Sequence, residues 1–116
     1  MNEGQVILVA MPQADDRDKR RPALILRRMP DFNDLLVCGI SSQLARAVPD
    51  FDLVLSSGSD DYARSGLVAD SVIRLGYLTV IPASKVSGAI GNVSRSTHQM
   101  LIERLCAYLK RTENAA

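Results

Sequence analysis

The residue with the most suggestive chemical setting is an arginine that precedes a proline. Arg21 stands directly before Pro22, at the start of an apolar run. Proline restricts the residue before it to extended backbone angles, so we expect Arg21 to be held at a loop-to-strand junction. A guanidinium fixed in this way can bind a phosphate group through two parallel hydrogen bonds. The alternative is a solvated basic loop, because runs of charge usually lie at the surface.

Hydroxyl and amide side chains follow the third apolar run of the chain. Ser41, Ser42 and Gln43 come directly after Ile40. At the end of a strand such polar groups can line a cleft beside a neighbouring strand. Serine also ends strands for purely structural reasons, and that interpretation stays open.

A third candidate lies within the longest predicted strand. Arg74 is flanked by apolar residues, so it is either a cation on one face of the sheet or the partner of a carboxylate. Gly76 is predicted to share its face. Glycine inside a strand often marks a bulge or the close approach of another backbone.

Other kinds of site find little support in the sequence. There is no Cys/His cluster with zinc spacing, no glycine-rich phosphate loop, no dinucleotide fingerprint and no nucleophile elbow. We interpret the only histidine, His98, as a surface or interface residue early in a helix, with a catalytic base as the alternative. We expect neither a metal nor a cofactor. The minority interpretation is magnesium binding by acidic residues that otherwise belong to solvated loops, namely Asp15, Asp16, Asp18, Asp60 and Asp61.

The composition describes a chain with segregated charge. Its 116 residues are 47% apolar, which is enough for one domain over residues 1–116 with its own core. Fourteen Lys and Arg against thirteen Asp and Glu give a formal charge of +1, which excludes a uniformly basic surface but not a local basic patch. Residues 17–28 carry six basic residues against one acidic, whereas residues 31–61 carry six acidic residues against Arg46 alone.

The cellular setting follows from the cysteines and from the short apolar runs. Cys38 and Cys106 lie in apolar stretches and are expected to be reduced core thiols. The longest apolar runs, residues 6–11 and 35–40, are far shorter than the roughly twenty residues that span a membrane. No basic, signal-like N-terminus is present. We therefore expect a soluble cytoplasmic protein with no membrane association.

Short apolar runs predict a mainly β chain. Strands are predicted at residues 6–10, 22–26, 35–40, 52–55, 71–81 and 89–93, with loops at 12–20 and 56–66. The first three strands are continuously apolar, which indicates burial on both faces. The strand at 71–81 alternates, and one face of it is assigned to Ile73, Leu75, Tyr77 and Ile81.

The C-terminal region is predicted to be helical. Leu101, Leu105 and Leu109 recur every four residues and form one apolar stripe. The predicted cap is Ser94 or Ser96, and the latter fits a capping box with Gln99. The elements together describe a small, partly open barrel. Among the aromatic residues, we expect Tyr77 and Tyr108 in the core and Phe51 and Tyr62 in loops.

Taken in order, these stretches resemble the MazF/PemK toxins of bacterial toxin–antitoxin pairs. The matching segments are residues 4–9, 21–26, 37–43, 70–74 and 90–94, and together they cover nearly the whole chain. The resemblance implies an SH3-like barrel with a C-terminal helix. It also implies a homodimer that a cognate antitoxin protein neutralises.

The resemblance further implies metal-independent cleavage of single-stranded RNA, often messenger RNA, at short sequences. The catalytic pair of the family, an arginine before proline and a hydroxyl, falls on Arg21 and Ser41. The loop at 12–20 is expected to act as a lid over bound RNA. We expect the RNA to be held by Lys19, Arg20, Ser42, Gln43 and Arg74.

Four features depart from the family pattern, and two of them bear on catalysis; the other two are Gln5, where the family usually has an acidic residue, and the absence of a first-strand tryptophan. Ser41 stands where the family has a threonine, which keeps the hydroxyl and loses a methyl group. Gly76 stands where some relatives have an aspartate. The departure at Gly76 leaves an alternative open, in which the protein binds an antitoxin or nucleic acid without cleaving it.

Overall fold

Six strands and two helices make up the computed structural model, which describes residues 1–12 and 18–112. The strands are β1 (Gln5–Pro12), β2 (Asp18–Arg28), β3 (Leu35–Ser41), β4 (Leu53–Leu55), β5 (Ser71–Ile81) and β6 (Val86–Asn92). The helices are α1 (Asp60–Ser65), between β4 and β5, and α2 (Arg95–Lys110), after β6. Short 3₁₀ turns occur at Leu44–Arg46 and Ala83–Lys85.

The strands form one antiparallel sheet in the order β4-β5-β3-β2-β1-β6. Three of the ladders contain register irregularities, which bend a sheet. Over the ranges that the structure describes, the edge strands β4 and β6 do not pair with each other, so the barrel stays open. The predicted class, mainly β with a C-terminal helix, is confirmed.

The sheet buries apolar side chains on both faces, as the continuous apolar runs predict. On one face, Leu101 and Leu105 of α2 pack in a cluster with Leu24, Ile73 and Leu75. Full burial of a leucine or isoleucine side chain contributes about 1.5–3 kcal/mol. The second cluster, on the other face, comprises Ile7, Val9, Ala23, Ile25, Leu35, Val37 and Ile81.

A bulge interrupts β5. Gly39 of β3 pairs with Arg74, but the adjacent Cys38 pairs with Leu78. Residues 75–77 are therefore extra on the β5 side of the ladder. A bulge of this kind disrupts the local pairing and bends its strand.

Because the bulge holds an odd number of residues, it breaks the simple alternation of β5. Ile73, before the bulge, lies in the cluster under α2, and Ile81, after the bulge, lies in the cluster on the opposite face. The prediction that Ile73, Leu75, Tyr77 and Ile81 share one face is therefore wrong.

Strand β2 is longer than its apolar run. Residues 19–21 pair with β1, whereas pairing with β3 starts only at Ala23. Pro22 thus lies within β2 but just outside the β3 ladder, rather than at the first position of a strand as predicted. The predicted loop at 12–20 is partly strand, and its residues 13–17, with the expected lid, lie outside the described residues.

Residues 56–66, predicted as a mobile polar loop, contain the helix α1. The hydroxyl of Ser59 caps it by accepting a hydrogen bond from the Tyr62 amide at 3.2 Å. Gly66 ends it with a φ of +76°, a left-handed conformation that favours glycine. A Cβ at Gly66 would also lie 2.1 Å from the carbonyl oxygen of Ile90, so this position excludes any side chain.

Helix α2 is capped by Ser94 rather than by Ser96. The hydroxyl of Ser94 accepts a hydrogen bond from the Thr97 amide at 3.2 Å. The side chain of Gln99 donates to Glu103 at 3.3 Å instead of reaching back to the cap. The predicted capping box is therefore wrong, although the helix itself is confirmed.

Asp61 of α1 supports the start of α2. Its carboxylate accepts hydrogen bonds from the Ser94 amide at 2.7 Å and from the Thr97 hydroxyl. Partial burial alone would raise the pKa of this carboxyl, but the hydrogen bonds from Thr97 and Ser94 and the Arg64 charge hold it below its usual value. A negative charge at this helix end is also stabilised by the helix dipole. Asp61 therefore ties α1 to α2.

The two cysteines differ in environment. Cys38 is buried and Cys106 is exposed, and both are free thiols. The prediction of two core thiols therefore holds for Cys38 alone. Burial, with the nearby charge of Asp52, raises the pKa of the Cys38 thiol to about 12. Within residues 1–12 and 18–112, no helix is long and apolar enough to cross a membrane.

Candidate functional site

A groove of about 380 Å³ opens on the sheet face that carries the second apolar cluster. This volume lies within the range of about 300–1,000 Å³ that is typical of ligand pockets. The groove is walled by β2, β3, β5 and the turn after β3. Its polar side chains are Arg21, Ser41, Gln43, Arg46, Arg74 and Tyr77, with Thr79 at the β5 wall.

The antiparallel register brings Arg21 and Ser41 together. Ala23 pairs with Gly39, and continuing this register by two residues sets Arg21 opposite Ser41 on the same face of the sheet. Both side chains line the groove. The two residues that the sequence suggests as a pair therefore share one site.

The basic residues next to Arg21 are exposed and do not line the groove among the described residues. Strand alternation puts Lys19 on the face of β2 that carries Arg21, and puts Arg20 on the opposite face. Lys19 thus extends the basic face of the groove toward the β1–β2 end, whereas Arg20 turns away from it.

Arg27 and Arg28, at the C-terminal end of the basic residues 17–28, bind the N-terminal residues of the chain. The Arg27 guanidinium lies 3.6 Å from the Glu3 carboxylate, and the Arg27 side chain is 61% exposed against 35% for Glu3. The Arg28 guanidinium donates to the carbonyl of Met1, and its amide donates to Glu3 at 3.1 Å. These contacts hold the N-terminus, so residues 17–28 do not form one basic patch.

Ser41 ends β3 and starts a tight turn. Its hydroxyl oxygen accepts a hydrogen bond from the backbone amide of Gln43 at 3.0 Å. This contact agrees with the interpretation that Ser41 serves to end the strand. A hydroxyl that accepts still has its own proton to donate, and no described residue takes it. Gln43 lines the groove, whereas Ser42 is exposed and does not.

Arg74 is a cation of the groove face. Its Cζ lies 5.7 Å from the centre of the Tyr77 ring, a cation–π contact. Of the described acidic residues, none comes within salt-bridge distance of it. Among the described residues, Arg74 is thus a cation on the groove face and has no carboxylate partner.

Two groove residues were missing from the sequence-based set. Arg46 closes the 3₁₀ turn at Leu44–Arg46 and lines the groove. Its only signal in the sequence is that it is the single basic residue within residues 31–61. Tyr77 was expected in the core, but it is 49% exposed because it lies in the bulge of β5.

The other aromatic residues follow their predictions only in part. Tyr108, expected in the core, is 54% exposed on α2. Phe51 lies in the turn before β4, as predicted, whereas Tyr62 lies in α1, and both pack against the core cluster under α2. Of the aromatic side chains in the described residues, Tyr77 alone lines the groove.

The groove concentrates positive charge. Three guanidinium groups line it, and no acidic side chain does so among the described residues. Arginine stays protonated at any ordinary pH, so the groove attracts anions such as phosphodiesters. No group of three or more His, Cys, Asp or Glu with metal-binding geometry occurs in residues 1–12 and 18–112.

Two further candidates lie outside the groove. The Nε2 atom of His98 donates a hydrogen bond to the Leu26 carbonyl at 2.7 Å, which holds α2 against β2. Gly76 lies in the bulge and brings no side chain to the groove. Of the acidic residues considered for magnesium, Asp15 and Asp16 lie outside the described residues.

A bent, six-stranded antiparallel sheet with a C-terminal helix is also the fold of bacterial toxins. A Mycobacterium tuberculosis toxin, MazF-mt6, has a TM-score of 0.68 and 21% identity over 94% of this chain and 99% of its own. A second toxin from that organism has a TM-score of 0.63 and 23% identity, covering 89% and 98%. A chain of a MazE–MazF structure from Deinococcus radiodurans has a TM-score of 0.65 and 15% identity, over 97% of this chain and 97% of its own.

The sequence agrees with the fold. Residues 2–109 match the family described as the PemK-like, MazF-like toxin of type II toxin–antitoxin systems, and the chain belongs to this family. No curated protein matches the chain in sequence.

Proposed function

We propose that this toxin is an endoribonuclease that cleaves single-stranded RNA, messenger RNA included, in the groove. The observation that supports the proposal is that Arg21 and Ser41 line one groove together with two more guanidiniums. A phosphodiester of RNA that bound in this groove would contact guanidinium groups, which balance its charge, and the Ser41 hydroxyl, which donates a hydrogen bond.

The chemistry requires little from the protein because RNA carries its own nucleophile. The 2′-oxygen forms a bond to the adjacent phosphorus, and the bond from phosphorus to the 5′-oxygen breaks. The 2′-hydroxyl loses its proton, and the departing 5′-oxygen gains one. The products are a 2′,3′-cyclic phosphate and a 5′-hydroxyl. The protein has to hold this geometry and stabilise the charge that grows on the phosphoryl oxygens.

The groove residues divide these tasks. The Arg21 guanidinium binds the scissile phosphate and its developing charge. The Ser41 hydroxyl, which already accepts from the backbone amide of Gln43, donates a hydrogen bond to a non-bridging oxygen of the phosphate. The Arg46 and Arg74 guanidiniums bind the flanking phosphates, and Lys19 extends the same face. Arg20 and Ser42 have no role in the proposal, because Arg20 points to the opposite face of β2 and Ser42 does not line the groove.

Proton transfer in the groove involves solvent. A guanidinium group is a poor base. No carboxylate or imidazole lines the groove in the described part of the chain. The Asp52 carboxylate, which binds the Leu75 amide beside Gly76, is buried and does not line the groove. The mechanism we propose relies on positioning and charge: water accepts the 2′-hydroxyl proton and also supplies the proton that the 5′-oxygen gains.

The partners proposed for this chain are a second copy and a cognate antitoxin, and the proposed setting is the cytoplasm. The structural similarity to a MazE–MazF complex supports the antitoxin. Leu78 and Val80 of β5 are 38% and 53% exposed. They pair with Cys38 and Leu36, on the sheet face opposite the groove. A second copy that covered these two side chains would leave the groove open to RNA.

The proposal is tested by incubating the purified protein with a long single-stranded RNA in the presence of EDTA. We expect fragments that end in 2′,3′-cyclic phosphate, because the groove offers guanidiniums rather than metal ligands. Loss of cleavage that magnesium restores would contradict the proposed mechanism. Tight RNA or antitoxin binding with no cleavage would instead establish the non-catalytic alternative.

A further inference from the structure

One wall of the groove is built from the bulge in β5. Arg74 pairs with Gly39 and Leu78 with Cys38, so Tyr77 belongs to a segment that leaves the β3 ladder. Such a segment needs other contacts to hold its shape, because its backbone groups lose their partners in the sheet.

A buried carboxylate supplies those contacts. Asp52 accepts hydrogen bonds from the Leu75 amide at 3.0 Å and from the Val48 amide at 2.9 Å. The Arg104 guanidinium of α2 in turn donates to the carbonyls of Phe51 and Asp52, at 3.3 and 3.0 Å. The bulge is therefore fixed to the protein interior and to α2, which makes it a preformed wall.

The Tyr77 ring rests on a glycine. A Cβ at Gly39 would come within 2.9 Å of Cδ1 of the Tyr77 ring, closer than side chains approach. Only glycine at this position lets the ring lie against β3. Gly39 therefore provides space for the ring rather than an unusual backbone conformation.

The Tyr77 ring packs against Gly39 and remains accessible from the groove. Tyr77 is 49% exposed and lines the groove, with the Arg74 guanidinium 5.7 Å from its centre. Proteins that bind single-stranded nucleic acid combine a basic track for phosphates with aromatic rings on which bases stack. The Arg74–Tyr77 pair presents both groups at adjacent points of one wall.

We infer that Tyr77 is the stacking platform for one nucleobase of the bound RNA, next to the phosphate that Arg21 holds. The inference rests on the proposed function, because it assigns a base subsite within the same groove. The base takes the place of the Arg74 guanidinium over the ring, and Arg74 then binds the phosphate that follows the stacked base. The phenol hydroxyl has no part in this role, since any flat aromatic ring offers the same face.

The test uses ten-nucleotide RNA probes that span a cleavage site mapped with the wild-type protein. Each probe carries a 2′-deoxy sugar at the cleaved position, so that it binds intact, and 2-aminopurine at one position, whose fluorescence falls on stacking. If no cleavage site is found, homopolymer decamers with one 2-aminopurine take their place. The proteins are the wild type, Tyr77→Phe, Tyr77→Leu and the matched control Tyr108→Leu, which changes an exposed tyrosine outside the groove.

We expect Tyr77→Phe to keep both affinity and quenching. Tyr77→Leu should abolish quenching at one probe position and weaken binding by roughly fivefold to a hundredfold, the usual value of one stacked base. Tyr108→Leu should change neither. Gly39→Ala, which displaces the ring without removing it, should also reduce quenching at that position. Circular dichroism confirms that each variant is folded.

Each other outcome has a definite meaning. Wild-type quenching and affinity in Tyr77→Leu would overturn the inference and leave the proposed function intact. Equal damage from Tyr77→Phe and Tyr77→Leu would also overturn it, because the hydroxyl would then be the active group. Quenching that depends on Tyr77, without cleavage of any RNA, would support the base subsite and refute the nuclease. A protein that binds no probe would refute both.

Discussion

Arg21 and Ser41 lie two residues beyond the last pair of the β2–β3 ladder, opposite each other in its continued register, and both line one groove. Their meeting depends on register, because a slip of one residue between these strands would turn one of the two side chains to the opposite face. The register is in turn held by the apolar residues of β2 and β3, which are buried on both faces of the sheet. The core of the fold thus sets the geometry of the proposed catalytic pair.

Replacing Arg21 by alanine should abolish most of the RNA cleavage. The groove would lose the guanidinium assigned to the scissile phosphate, and loss of such a contact lowers rates by about a hundredfold to a thousandfold. Cleavage of a labelled RNA measures the effect, and growth inhibition on expression should fall with it. Arg27→Ala is the matched control, because Arg27 lies on the same strand but pairs with Glu3 away from the groove. Equal cutting by Arg21→Ala and wild type would remove Arg21 from the site.

Ser41 should tolerate threonine but not alanine. Threonine keeps the hydroxyl that accepts from the Gln43 amide at 3.0 Å and donates into the groove. Alanine loses both contacts, and a hydrogen bond to a charged group is worth about ten- to hundredfold in rate. Single-turnover cleavage rates of Ser41→Thr and Ser41→Ala provide the comparison. Wild-type rates in Ser41→Ala would limit this residue to ending the strand.

Asp52→Asn should destabilise the fold. The carboxylate accepts from two amides, those of Leu75 and Val48, and asparagine offers only one oxygen. A buried amide left without a partner costs about 1–3 kcal/mol, which urea unfolding resolves. Asp50→Asn is the control, since Asp50 is exposed and its φ of +62° suits asparagine as well. Equal stability of the two variants would contradict the role given to Asp52.

The stability contributed by Asp61 should disappear in acid. The pKa of its carboxyl is lowered in the folded protein, whereas in the unfolded chain it titrates near its ordinary value of about 3.9. A lowered folded pKa stabilises the protein above the unfolded pKa, and this stability is lost as pH falls through the folded pKa. Asp61→Asn should therefore unfold at lower temperature than wild type at pH 7, with a difference that shrinks below about pH 4. Asp60→Asn, at an exposed neighbour, should follow the wild-type curve throughout.

Only one of the two thiols should react in the folded protein. Burial, followed by the charge of Asp52, raises the pKa of the Cys38 thiol to about 12, whereas Cys106 is exposed on α2. Because thiolate is the reactive form, a disulfide reagent at pH 8 should modify one group in the native state and two after denaturation. The variant Cys106→Ser should give no native reaction. Rapid reaction of Cys38 would show that the core opens easily.

Much of the fold follows from the sequence because the apolar runs are unambiguous. Continuous apolar runs predict the strands that are buried on both faces, and the four-residue leucine spacing predicts α2. The arginine before Pro22 and the hydroxyl after Ile40 mark the ends of paired segments, so both fall in one groove. The local apolar pattern is sufficient to predict regular strands and helices, because their burial repeats along the chain.

The missed features are those that interrupt a repeat. The sequence of β5 alternates without interruption, but its three bulge residues make the side chains after them point to the opposite face. Tyr77 therefore lies in the groove and not in the core, where it was expected. Helix α1 has six residues, too few for an apolar period to appear. Arg46 reaches the groove only because a 3₁₀ turn follows Gln43, and nothing in the apolar pattern predicts that turn.

The outer strands of the sheet also determine how copies of this chain can associate. β4 is only three residues long, and the pairing of β6 with β1 shifts register twice. β4 pairs only with residues 71–73 of β5, so the rest of β5 also forms this rim, but its bulge at 75–77 interrupts the strand. Neither rim therefore offers a long, straight row of unpaired amides on which a neighbouring molecule could continue the hydrogen-bonded ladder. Self-association should therefore proceed through side-chain surfaces, which protects the chain from forming fibres by strand addition.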